Sequence, residues 1–277
     1  MALSDADFQF VAREAKARTG LMLTPDKAHL LEMRLTPIAR REGFLSVQEL
    51  ITTARARQDD RLLWAVADTL TINETSFFRD RAPFQALRDQ IMPALMRARG
   101  NTHCLRILSA GCSTGQEPYS IAMMLDDMRI SGRGMDCEIV AIDVSGRTLE
   151  KARAGLYSQF EVQRGLPVSL LVRHFEKTGD MWRASDRVRA AVKFQKVNLL
   201  SDLAPLGRFD IILCRNVLIY FDAETRDAIL ARLSAILEPD GYLILGAAEA
   251  QPGGDEFIAA QDVRGAFVPA RSARAAA

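Results

Sequence analysis

Residues 105–124 read LRILSAGCSTGQEPYSIAMM. An apolar run, Leu105-Arg106-Ile107-Leu108, gives way to the small residues Ser109 to Gly115. An amphipathic run then opens at Glu117-Pro118 and continues through Tyr119, Ile121, Met123, Met124 and Leu125. That order predicts a buried strand, a tight glycine turn and a helix. Pro118 suits a first helical turn, where its missing N–H is no loss. Gly111 and Gly115 let the backbone turn sharply and let a ligand approach closely. In an open α/β sheet, such a turn at the carboxyl end of a strand is where a nucleotide-like ligand sits.

The loop's chemistry narrows the ligand. It does not read G-x-G-x-x-G, and it lacks the G-x-x-x-x-G-K-[ST] pattern with its phosphate-cradling lysine. It carries Glu117 instead, which would repel phosphate and attract a sulfonium or an ammonium. S-adenosylmethionine has both and no phosphate. The strand–turn–helix alone still leaves another nucleotide fold, or plain packing, open. Further on, Cys137-Glu138-Ile139-Val140-Ala141-Ile142-Asp143 reads as a second buried strand ending in an acid. Such an acid accepts hydrogen bonds from ribose hydroxyls, and its separation of about 30 residues from the first loop is what one βαβ unit requires. The pair favours an adenosine-containing ligand.

Outward from this centre, strands are expected at Val192 to Val197, Phe209 to Asn216, Tyr242 to Leu245 and near Phe267-Val268. Helices begin near Arg147 and run from Ala223 to Leu237, and Pro239-Asp240-Gly241 reads as a turn. The alternation predicts a parallel sheet covered on both faces. Residues 157–191 are poorly patterned, with a hairpin around Thr178-Gly179-Asp180, and read as an insertion that leaves the main sheet. Residues 1–85 show helical patterns only. The expected division is thus a helical domain, 1–85, and an α/β domain, 86–277, carrying the insertion.

Within the helical part, Gly20 ends the first helix, and Leu30, Leu31, Met33 and Leu35 form the buried stripe of the second. Pro37 is expected to bend or break that helix. Ser46-Val47-Gln48-Glu49 reads as a capping box. Asp80 is placed to cap a long helix from Arg81 to Arg99. Lys27, Arg34 and Arg41 are spaced by seven and share one face of the second helix, with Arg40 beside it. They are either a solvated basic face or a docking surface for an acidic partner helix.

Composition excludes several classes. The chain has 277 residues, 48% hydrophobic and 26% charged, with a net charge of +1. That is the balance of an ordinary globular protein, with no global pull toward nucleic acid or membrane. No apolar run reaches the ~20 residues that span a bilayer, and the N-terminus lacks a signal-peptide pattern. Cys104, Cys112, Cys137 and Cys214 show no C-x-x-C spacing. They read as free thiols in a reducing cytoplasm, and no metal site is expected.

Four stretches together carry a family resemblance: Asn73-Glu74-Thr75-Ser76-Phe77-Phe78-Arg79, Cys112 to Ser120, Val197-Asn198-Leu199, and Cys214-Arg215-Asn216-Val217-Leu218-Ile219-Tyr220-Phe221. In content and order they resemble the chemotaxis receptor methyltransferases, the CheR family, over nearly the whole chain. The resemblance implies a Rossmann-like, class I S-adenosylmethionine-dependent methyltransferase sheet with a small helical N-terminal domain and a small β insertion. It implies methylation of glutamate side chains on the cytoplasmic helices of bacterial chemoreceptors, giving methyl esters and S-adenosylhomocysteine, by a cytoplasmic, monomeric enzyme. Carried over by position, the cofactor contacts are Asn73, Thr75, Arg79, Glu117, Asp143, Asn198, Leu199, Arg215 and Asn216, with Gly111 in the turn. Arg79 and Tyr220 lie beside the transferred methyl. Gln116 departs from the acid more usual there. Thr178 to Arg183 is short and lacks the Gly-x-Gly found where family members hold a receptor's C-terminal pentapeptide, so independence from that tether is expected.

The chemistry agrees with these residue types. A glutamate is already ionised at pH 7, so methyl transfer to it needs no general base, and the sequence offers no histidine cluster. A site that aligns two opposite charges and excludes water speeds their mutual cancellation. Two rivals stay open. One is a methyltransferase acting on another protein or a small molecule; the other is a non-catalytic sensor of S-adenosylmethionine or its product.

Overall fold

The structure, a computed structural model, describes residues 3–25, 28–100, 104–132, 136–249, 252, 256–261 and 263–270. The chain divides into two compact units, Met1–Ile72 with Tyr220–Thr225, and Asn73–Ile219 with Arg226–Ala277. The division thus falls at Ile72/Asn73 instead of near residue 85.

The first unit is built from α1 (Asp5–Thr19), α2 (Ala28–Arg41), α3 (Val47–Arg57) and α4 (Asp60–Leu70). Short polar side chains start three of them: Ser4, Ser46 and Asp59 accept the backbone N–H of Asp7, Glu49 and Leu62. The Glu49 carboxylate returns to the N–H of Leu45, one residue before the cap, so the expected capping box is only half formed. Gly20 closes α1 at φ 77°, donating to Lys16 O. Val11, Leu31, Leu35, Leu50, Ile51, Leu63 and Val66 form the core. Pro37 does not break α2, which runs through it. Pro37 lies on the exposed face. So does Met33, whose carbonyl the missing N–H would have bonded, and water can serve it. Met33 is 66% exposed and not part of the buried stripe; the Leu30 side chain lies outside the described residues.

The second unit begins with the segment Asn73 to Arg81. It continues through α5 (Ala82–Ala86), a π-helical turn (Leu87–Ile91) and α6 (Met92–Arg99). This stretch was expected as one α-helix capped by Asp80. It is helical throughout, but the wide turn falls just before Pro93, which cannot donate to the preceding turn. No side chain caps its start, and the Asp80 carboxylate turns to Arg215 instead.

Then follow β1 (Leu105–Ala110), α7 (Gln116–Ile130), β2 (Cys137–Asp143), α8 (Gly146–Ala154), β3 (Leu156–Ser158), α9 (Gln159–Gln163), α10 (Val168–His174), β4 (Phe175–Thr178), β5 (Met181–Ala184), α11 (Asp186–Ala190), β6 (Val192–Lys196), β7 (Phe209–Cys214), α12 (Ala223–Ile236), β8 (Leu237–Leu245), β9 (Phe257–Ala259) and β10 (Ala266–Pro269). Among the described residues the main sheet has the order β6-β2-β1-β7-β8-β10-β9. The first five strands are parallel, and β10 and β9 are antiparallel additions. Every residue of β7 is buried, as are all of β1 except Arg106, which is why both read as near-continuous apolar runs. The turn expected at Pro239-Asp240-Gly241 lies inside β8, where it forms an irregularity opposite Phe209 and Ile211. β9 had no sequence counterpart.

The insertion leaves the main sheet as expected, forming a separate antiparallel sheet, β3-β5-β4. Gly179, at φ 58°, turns the β4–β5 hairpin. The short helices α9, α10 and α11 were not legible. The small sheet packs on an aromatic cluster. The Phe77 ring meets Tyr157 edge-on at 5.0 Å and Phe175 at 5.5 Å, and Tyr157 meets Tyr119 at 6.4 Å. Gly165, at φ 91°, passes so close to the 73–81 segment that an added Cβ would stand 2.1 Å from the Phe77 carbonyl oxygen.

Candidate active site

Arg215 is the residue just past β7, at the carboxyl end of the parallel strands. Only 2% of its side chain is exposed. One Nη donates to Glu117 Oε2 at 2.9 Å; the other donates to the Arg79 carbonyl at 2.7 Å and to Asp80 Oδ2 at 3.0 Å. The guanidinium also stands over the Phe84 ring, 5.5 Å from its centre. Glu117, at the start of α7, is held on its other oxygen by Ser109 Oγ at 2.8 Å. Arginine suits this place because its rigid fork serves two carboxylates and a carbonyl at once.

Asp143 stands at the tip of β2, as its place in the sequence predicted. Its buried carboxylate accepts the backbone N–H groups of Ser113 at 2.8 Å and Ser145 at 2.9 Å. Ser113 Oγ in turn donates to the Asn73 carbonyl at 2.9 Å, tying the 73–81 segment to the glycine turn. A second tie runs from the Phe78 N–H to Ser120 Oγ at 2.9 Å. Thr75 and Arg79 are half-buried on this segment. One guanidinium N–H of Arg79 donates to the Glu74 carbonyl at 3.1 Å. The Glu74 carboxyl is held below its usual range by the hydrogen bond and charge of Arg164.

Beyond β6, the Val197 N–H bonds the Asp143 carbonyl at 3.1 Å. Asn198 closes its own turn, Oδ1 accepting from the Leu200 N–H at 3.0 Å, with Leu199 buried beside it. Asn216 takes the left-handed conformation, φ 59°. What approaches Gly111 most closely is Val217: an added Cβ would meet its Cγ2 at 2.6 Å. At Gly115 the crowding comes from Ala152 and the Tyr157 hydroxyl. At both glycines a side chain would collide with packed protein.

Burial pushes the Cys112 and Cys214 thiols well above their usual value, and nearby carboxylates add to it. They are neutral thiols, unsuited to nucleophilic work. Sequence reasoning passed over Glu249, whose half-buried carboxylate accepts three backbone N–H groups beside Asn216. Its only sequence signal was an acid soon after a strand.

Tyr220 belongs to the first unit. Its carbonyl accepts the Met22 N–H at 3.0 Å, and its side chain packs against the helical core. Two residues on, Asp222 pairs with Lys16 at 2.5 Å. Of the basic face, Arg40 and Arg41 are exposed, Arg41 pairing with Glu42 at 3.0 Å. Arg34 is half-buried and donates to the Leu70 carbonyl at 3.0 Å, so it braces α4 as well as facing outward. Lys27 lies outside the described residues.

The donor set fits a cationic nucleoside. Glu117 and Asp80 share one guanidinium, so two carboxylates meet one cation there, and Asp143 adds a third at the tip of β2. That excess suits a sulfonium and an α-ammonium and opposes a phosphate. The parallel sheet with an acid at its second strand tip, together with this cluster, defines a Rossmann-like S-adenosylmethionine-dependent methyltransferase. The chain belongs to the CheR methyltransferase family, whose S-adenosylmethionine-binding domain matches residues 73–263. The match begins at the first residue of the second unit.

Curated relatives agree over most of their length. Chemotaxis protein methyltransferase 1 of Pseudomonas aeruginosa is 39% identical over 90% of this chain and 92% of its own. Chemotaxis protein methyltransferase Cher2 of Pseudomonas putida is 38% identical over 91% of this chain and 93% of its own. The chemotaxis protein methyltransferase of Escherichia coli is 34% identical, covering 90% and 86%. Among the described residues no helix is long and apolar enough to cross a membrane.

Proposed function

We propose that this enzyme methylates glutamate side chains on the cytoplasmic helices of chemoreceptors, working as a cytoplasmic monomer. The observation that carries the site assignment is Arg215, which joins Glu117 on the donor-binding turn to the Arg79-Asp80 segment. Bound S-adenosylmethionine supplies an electrophilic methyl on a positive sulfur. Asn73, Thr75, Gly111, Glu117, Asp143, Asn198, Leu199, Arg215 and Asn216 hold and orient it. Asp143 serves the ribose hydroxyls, and Glu117 with its neighbours serves the cationic end. Arg79 hydrogen-bonds one oxygen of the substrate carboxylate and aims the other. No proton has to move, because the acceptor is ionised at neutral pH.

Arg79→Ala should stay folded and lose about 100-fold in turnover. The assay is base-labile methyl ester formed on receptor cytoplasmic fragments with labelled donor. Near-normal turnover would remove Arg79 from the role. Failure of the wild type on every receptor of the same cell would favour another protein, a small molecule, or a sensing role.

Exposed Arg40 and Arg41, with the half-buried Arg34, supply a basic face for an acidic receptor helix. The short Thr178 to Arg183 hairpin favours independence from a C-terminal pentapeptide tether. A titration with that peptide should show no binding, and micromolar affinity would refute the reading.

A further inference from the structure

The Asn216–Leu218 loop leaves backbone donors that its own turn cannot satisfy. Asn216 takes the left-handed conformation, which asparagine adopts more readily than most non-glycine residues. The two residues after it enter a 3₁₀ turn (Leu218–Tyr220) whose first N–H groups have no partner within the turn. Glu249 satisfies these donors. It lies in the tight turn after β8, where its own N–H bonds the Gly246 carbonyl at 3.0 Å. Its Oε1 accepts the N–H of Val217 at 2.8 Å and of Leu218 at 2.7 Å, and Oε2 accepts the Gly246 N–H at 2.5 Å. The two loops lie against each other: a Cβ at Gly246 would stand 2.8 Å from both the backbone nitrogen and Nδ2 of Asn216.

We infer that Glu249 is a positioning residue for donor binding, its carboxylate clamping the Asn216–Leu218 loop so that Asn216 is held ready for the cofactor. This rests on the assignment of Asn216 as a donor contact. An ionised carboxylate accepting three backbone donors is a strong, directional fixture, and no neutral side chain of that size offers the same acceptors. Removing it leaves the N–H groups of Val217 and Leu218 without their acceptor and frees the loop to move, and the donor must then reorder it on binding.

The test uses the full chain and S-adenosylhomocysteine as probe. Glu249→Ala should weaken its binding about tenfold or more, and the amides of Val217 and Leu218 should exchange faster while β1 and β7 stay protected. Glu249→Gln keeps the size and one acceptor oxygen, so it should partly restore affinity; it also serves if the alanine variant does not fold. Because Glu249 acts through Asn216, Glu249→Ala combined with Asn216→Ala should bind no more weakly than Asn216→Ala alone. Unchanged affinity in Glu249→Ala, or losses that multiply in the double variant, would overturn the inference alone. Wild-type protein that bound no S-adenosylhomocysteine would overturn the proposed function together with it.

Discussion

Arg215→Ala is expected to cost about 3–5 kcal/mol of stability, because it leaves a nearly buried carboxylate without its counter-charge. Glu117 has only 13% of its side chain exposed, and the guanidinium is its cationic partner at 2.9 Å. The same change strips the Arg79 carbonyl of its donor at 2.7 Å and removes the cation from the face of Phe84. Asp80, 40% exposed, can turn to water and adds little. Arg215→Lys keeps the charge but cannot reach two carboxylates and a carbonyl together, so it should fall between wild type and alanine. Urea unfolding followed by circular dichroism measures this. A loss below about 1 kcal/mol, the size of an exposed pair, would show that the cluster does not hold the site together. Donor binding should fail in Arg215→Ala even at temperatures where the variant remains folded.

Phe77→Ala should be of similar size, about 3–5 kcal/mol for emptying a large aromatic site in a packed core. Phe77 is fully buried between the rings of Tyr157 and Phe175. Its carbonyl lies hard against Gly165, so the surrounding backbone has little freedom to close the gap. Turnover should fall as well, since Arg79 follows two residues later on the same segment. Phe77→Leu should recover most of the stability. Thermal unfolding separates this from a purely catalytic role, under which the midpoint would not move.

The two expectations explain why the sequence was legible in some places and opaque in others. Leu105 to Met124 announced its strand, turn and helix because the local pattern and the tertiary role agree. A strand buried on both faces must be apolar, and a turn with φ 71° at Gly111 and φ 92° at Gly115 favours glycine. Asp143 was legible for the same reason, as the polar end of an apolar run. Asn73 to Arg79 fitted no periodicity. Phe77 is chosen by distant aromatic rings of the insertion, while Phe78 and Asn73 are held through their backbones by the Ser120 and Ser113 hydroxyls. The short helices α9 to α11 were missed because segments of five to seven residues carry too few turns for a 3.6 period to show.

Composition, periodicity and the order of motifs were enough to determine an α/β sheet with an acid at the second strand tip, a helical N-terminal region and an inserted β-element, because these follow from burial along each element. The pairing of Glu117 and Asp80 through Arg215, the Glu249 carboxylate beside Asn216, the unit boundary at Ile72 and the assignment of Tyr220 to the helical unit were decided only in three dimensions. The reason is separation along the chain. Arg215 meets Glu117 across 98 residues and Asp80 across 135, and a charge's partner at such distance leaves no trace in the residues beside it.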